Sequence, residues 1–156
     1  MNELLTDLLD PKAIATDVVA KSKKQLFREM AERVAPMLGC DPERICEVLA
    51  EREKLGSTGF GGGIAIPHGK LDAIQQVMAF LAVLPEPVDY GAIDDLPVDV
   101  VVLLLSPRDA GTEHLKALAR VSRALRDRDF IAKLRGAGSP DAIYALVSSI
   151  KTRDAA

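Results

Sequence analysis

Apolar positions along this chain change period several times, and each change marks an element. From Lys23 to Leu38, Phe27, Met30, Val34 and Leu38 recur at helical spacing, with Ser22 as a cap before them and Gly39 as a stop after them. Pro36 falls in the last turn of that span and predicts a kink or an earlier stop. Asp41-Pro42 restarts a helix, a cap followed by proline at the first helical position; its stripe is Ile45, Val48 and Leu49, and it reaches Lys54 before Gly56. Two runs lack a polar face: Val77–Leu84, ended by Pro85, and Val98–Leu105, preceded by Pro97. Such runs suit strands covered on both faces. Thr112–Arg126 is helical through Leu115, Leu118, Ser122 and Leu125, with Thr112 as its cap. Asp129–Leu134 and Pro140–Ile150 read as two further helices, parted by Arg135 and the Gly136-Ala137-Gly138-Ser139 turn. Ile14–Val19 reads as a short strand, and residues 151–156 as a frayed tail behind a core of about 4–150.

Strands alternating with helices, then helices clustering at the end, predict an α/β layer fold: a mixed β-sheet flanked by helices. No repeat or linker divides residues 1–156, so a single domain is expected. Only 4% of the chain is aromatic and Trp is absent, which leaves the core to Leu, Val, Ile and Ala. A net charge of −3 with scattered Lys and Arg argues against a nucleic-acid partner. No apolar run approaches a membrane-spanning length, and the acidic start MNELLTDLLD lacks a signal peptide's basic region, so a cytoplasmic address is expected. Cys40 and Cys46 fit neither a CxxC nor a zinc pattern and read as free thiols.

Six of the eleven glycines lie between Gly56 and Gly69, in GSTGFGGGIAIPHG. Glycine loses the most backbone entropy on folding, so such a cluster implies positive φ or close approach by another group. The stretch is not a standard nucleotide loop. Gly63 and Gly69 are one residue too far apart for GxxxxGK[ST], and Leu71 stands where Ser or Thr belongs; Ile64 breaks GxGxxG after Gly59-Phe60-Gly61. Ile64-Ala65-Ile66 alternates as a short strand that Pro67, lacking an N–H, should end. His68 would then stand at a strand end on backbone stiffened between Pro67 and Gly69, either exposed to an incoming group or simply hydrogen-bonded in a turn. Arg52, seven residues after Ile45 and three after Leu49, falls on the apolar stripe of its helix, where it either caps the last carbonyls or meets an anion. His114 lies in the first turn of its helix; there it is either an exposed side chain or a neutral imidazole beside an anion site.

Taken together, Arg52-Glu53-Lys54-Leu55-Gly56-Ser57-Thr58-Gly59-Phe60-Gly61-Gly62-Gly63-Ile64-Ala65-Ile66-Pro67-His68-Gly69-Lys70 resembles the enzyme IIA domains of phosphotransferase systems of the fructose/mannitol type, most nearly their nitrogen-regulatory members. Ala92–Asp99 and Glu113-His114-Leu115 agree as well, and the resemblance runs from about Leu4 to Ile150. It implies that His68 is phosphorylated on Nε2, that Arg52 and His114 assist, and that the segment containing Gly56, Ser57, Thr58, Gly59, Gly61 and Gly69 forms a phosphoryl-binding loop. It implies a histidine phosphocarrier protein as donor, and either regulatory target proteins or a IIB acceptor as the receiving partner. Neither metal nor organic cofactor is implied. Two further functions stay open: a sugar- or polyol-importing IIA component, and a module that holds a free anion without covalent transfer.

Overall fold

The computed structural model describes residues 2–149 and 151–153, with side chains from Leu5 to Ser149. Strand β1 (Asn2–Leu4) pairs antiparallel with β8 (Lys151–Arg153) in a small ribbon of its own. The tail expected to fray is therefore tied back as far as Arg153, and residues 154–156 lie outside the described part. The main sheet holds β2 (Ile14–Ala15), β3 (Gly59–Gly61), β4 (Ile64–Ala65), β5 (His68–Leu71), β6 (Met78–Val88) and β7 (Val98–Pro107). Five helices complete the described fold: α1 (Lys23–Leu38), α2 (Pro42–Lys54), α3 (Thr112–Leu125), α4 (Arg128–Gly136) and α5 (Pro140–Ser149).

The sheet is mixed and β7 is its centre. On one side β7 pairs antiparallel with β6; on the other it pairs parallel with β4 and, further along, with β5. This explains the unbroken apolar run: Val98, Val100, Val101, Leu103, Leu104 and Leu105 are all fully buried. Each such side chain contributes about 1.5–3 kcal/mol by leaving water. Strand β6 runs beyond the expected stop at Pro85, through Pro87 to Val88. A register shift between Val83 and Val88 accommodates both prolines where the ladder with β7 is interrupted. At Ile14 only two residues pair, parallel to β6, instead of the six-residue strand predicted.

Helices α1 and α2 begin as the capping residues dictate. Ser22 Oγ accepts from the Gln25 N–H and Asp41 from the Glu43 N–H. Pro36 does not stop α1, which continues to Leu38 and closes at Gly39 with φ 67°, the Gly39 N–H donating to the Ala35 carbonyl. Helix α3 is capped by Gly111 rather than Thr112; Gly111 takes φ 58°, ψ −118°, which a β-branched residue would resist. Cys40 and Cys46 are free and half-buried, and burial pushes both thiols up.

One close approach positions the site. Helix α2 lies on β5 so tightly that a Cβ on Gly69 would meet Val48 Cγ1. Val48 is β-branched and nearly buried, so it has little room to rotate aside. Gly69→Ala is therefore expected to cost about 1–3 kcal/mol in denaturant unfolding, because α2 must lift from the sheet. Unchanged stability would mean that the helix does not rest on this glycine.

Candidate functional site

Strand β4 does not end the ladder at Pro67. The chain resumes pairing with β7 at once: the Pro67 carbonyl accepts from the Leu104 N–H at 2.9 Å, and His68 stands opposite Leu104. Strand β4 thus ends at Ala65, and after Ile66 and Pro67 the pairing with β7 resumes where His68 opens β5. Its ring is anchored at both nitrogens. Nδ1 lies 2.8 Å from the Ile66 carbonyl, and Nε2 lies 3.2 Å from Arg52 Nε. A carbonyl only accepts and a guanidinium only donates, so the ring is the neutral tautomer with hydrogen on Nδ1 and a lone pair on Nε2. Burial, and the charge of Arg52, hold His68 below its ordinary value; the Ile66 carbonyl works the other way and does not prevail.

Arg52 reaches in two directions: its Nη1 donates to the Gly56 carbonyl just past α2 at 2.9 Å, while its Nε donates to His68 Nε2. His114 is buried rather than exposed: its ring lies 5.5 Å from that of His68, centroid to centroid, at 45°. Burial, with His68 and Lys70 alongside, lowers its proton affinity too. The three residues singled out from the sequence thus meet at one place, carried by α2, β5 and α3.

Much of the glycine-rich segment is tied to its own neighbours. The Gly56 N–H donates to the Glu53 carbonyl, the Thr58 N–H to the Glu53 carboxylate and the Gly59 N–H to Ser57 Oγ. The Thr58 hydroxyl is held between Glu53 Oε1 at 2.5 Å and Tyr90 Oη at 2.6 Å. A Cβ on Gly59 would collide with Ala92 and Tyr90, and Gly69 is filled by Val48 as described. Gly61, Gly62 and Gly63 form the far turn of the β3–β4 hairpin with φ of 106°, 70° and 82°. There Asp94 accepts from the Gly62 N–H, and Arg135, gripping Asp99, donates to the Gly62 carbonyl. The glycines of this segment let the backbone turn and pack closely.

Residues that the sequence did not single out organise the site from behind. Glu53, its side chain 7% exposed, receives Lys23 Nζ at 3.0 Å and both polar groups of Thr58. Burial pushes Glu53 up, but Thr58 and Lys23 outweigh it and its carboxyl lies below the usual range. Tyr90, its phenol driven far up by burial, adds a contact to Thr58 and packs edge-on against Phe27. The signal available was adjacency: an acid directly after Arg52 on a helix that ends at the loop.

A neutral, half-buried imidazole with an unprotonated Nε2, a guanidinium at that nitrogen and a second imidazole beside it suit nucleophilic attack on a dianionic group. The chain is also similar to several known proteins. A nitrogen regulatory protein of Bradyrhizobium diazoefficiens is 45% identical over 144 residues, covering 92% of this chain and 94% of that protein. The crystal structure of nitrogen regulatory protein IIA-Ntr from Neisseria meningitidis superposes with a TM-score of 0.84 at 32% identity, over 90% of this chain and 97% of that one. The crystal structure of IIA mannitol from Escherichia coli does so with a TM-score of 0.73 at 25% identity, over 88% and 97%. Residues 7–150 match the family described as phosphoenolpyruvate-dependent sugar phosphotransferase system, EIIA 2, and it is to this family that the chain belongs.

Proposed function

We propose that this protein is a phosphohistidine carrier of a nitrogen-related phosphotransferase system, taking its phosphoryl group on His68 Nε2. The observation that carries the assignment of the acceptor atom is the anchoring of the His68 ring. With Nδ1–H bound to the Ile66 carbonyl, Nε2 is the nitrogen with a lone pair, and it already faces a cation. The donor is a histidine phosphocarrier protein. In the transfer, the Nε2 lone pair of His68 attacks phosphorus, the donor's own nitrogen–phosphorus bond breaks in line, and its electron pair returns to the donor imidazole. His68 keeps its Nδ1 proton throughout, so no proton must move. The Arg52 guanidinium turns from Nε2 to the phosphoryl oxygens without leaving the site.

A protein donor needs a surface to land on. Leu55, 84% exposed, follows α2 beside Arg52 and Gly56, and Leu115, 63% exposed, follows His114. Large apolar side chains left in water next in sequence to site residues suit an encounter that excludes water on docking. Among the described residues no helix is long and apolar enough to cross a membrane.

The receiving partner is a set of regulatory target proteins that respond to the phosphorylation state of His68. The nitrogen regulatory relatives, at higher identity than the mannitol IIA structure, favour this over transfer to a IIB component. The added charge, about −1.5 to −2, stands beside Arg52 and alters what docks there. Incubation with phosphoenolpyruvate, its phosphotransferase enzyme and the histidine carrier is expected to add one acid-labile phosphoryl group, read by intact-protein mass. No addition, or an acid-stable one, would refute the carrier reading.

A further inference from the structure

Ser106 is fully buried at the end of β7, directly after three fully buried leucines. A hydroxyl in such a place must satisfy its proton locally. Among the described residues its hydrogen bond is to one atom, His114 Nδ1, at 2.6 Å. We propose that Ser106 is a positioning residue: its O–H donates to His114 Nδ1 and thereby fixes the His114 proton on Nε2, ready to donate to a phosphoryl oxygen on His68.

Two hydrogen placements satisfy a 2.6 Å contact, and they are not equivalent. If His114 Nδ1 carried the proton, the serine oxygen would accept it and the serine's own hydrogen would point into an apolar surround. If the serine donates, both groups are satisfied. A neutral imidazole has one proton, so Nε2 then holds it. His114 is neutral here: it is buried, with His68 and the Lys70 cation alongside. With the ring 5.5 Å from that of His68, an N–H meets the incoming oxygens as a donor. A bare nitrogen would set lone pair against lone pair. The use of the proton rests on the carrier reading; its location does not.

The test begins on the unphosphorylated protein. Long-range proton–nitrogen correlation spectra distinguish a protonated ring nitrogen from a bare one. His114 is expected as the Nε2–H tautomer in the parent, and as Nδ1–H or a mixture in Ser106→Ala. Ser106→Thr, which keeps the hydroxyl, is expected to restore the parent tautomer. Single-turnover phosphoryl acceptance should slow about tenfold in Ser106→Ala, the scale of one lost hydrogen bond, and recover in Ser106→Thr. A parent spectrum showing His114 Nδ1–H overturns the proposal whatever the variants do. So does an alanine variant with an altered tautomer and an unaltered rate. Failure of the parent to accept phosphoryl at all refutes the carrier reading instead, and the spectra still decide where the proton sits.

Discussion

His68→Ala is expected to lose phosphoryl acceptance entirely, with the mass shift absent at times when the parent is fully labelled. The loss is total because covalent transfer needs an atom at which the new bond forms, and the alanine methyl offers none. The fold should survive. His68 contributes its backbone to the ladder beside Leu104, which alanine keeps, and the substitution removes only the ring with its contacts to the Ile66 carbonyl and Arg52. An alanine variant that unfolds with the parent's midpoint but carries no phosphoryl group supports the assignment, whereas retained labelling places the acceptor elsewhere. The pH profile gives a second, independent reading. Attack needs the neutral ring, and burial together with Arg52 keeps His68 below its ordinary value of 6.5. The acceptance rate should therefore be level around neutrality and fall only as pH drops through that lowered value, where Nε2 takes a proton. A rate still rising above pH 7 would mean that the attacking group titrates higher than this imidazole does.

Much of this site was legible because its reacting residues break local rules. An arginine on an apolar helical stripe and a histidine between proline and glycine both stand out against the surrounding periodicity, and they prove to be 3.2 Å apart. The supporting residues follow local rules and so stay silent. Glu53 looks like any solvated acid near a helix end, and Ser106 looks like the polar residue that closes an apolar strand. Their roles come from pairings across the chain, to Lys23 and Tyr90 for the first and to His114 for the second, which no spacing encodes. The same holds for the glycines. Composition announces that the backbone does something unusual between Gly56 and Gly69, but not whether that is anion binding, turning or close packing. The neighbours, Val48 at Gly69 and Tyr90 and Ala92 at Gly59, show close packing at those two positions. Continuous apolar runs announce the long strands, but β6 continues past Pro85 where a register shift tolerates proline.

Arg52→Ala is expected to slow phosphoryl acceptance about 100- to 1,000-fold while leaving most of the stability in place. In the resting site the guanidinium divides its donors between His68 Nε2 and the Gly56 carbonyl. Removing it leaves the Gly56 carbonyl, which is exposed, to water. One exposed hydrogen bond of this kind contributes about 1 kcal/mol. The charge it brings to the transferring group has no such substitute. Lys70 and His114 remain near, but neither occupies the position at Nε2 where the oxygens must gather. Arg52→Lys should recover only part of the rate, since an ammonium keeps the charge yet cannot hold the Gly56 carbonyl and the phosphoryl oxygens with one planar fork. The two measurements separate the roles Arg52 combines. A large fall in unfolding midpoint with a near-normal transfer rate would make Arg52 a helix cap, and loss of rate at nearly unchanged midpoint makes it the cation of the transfer site.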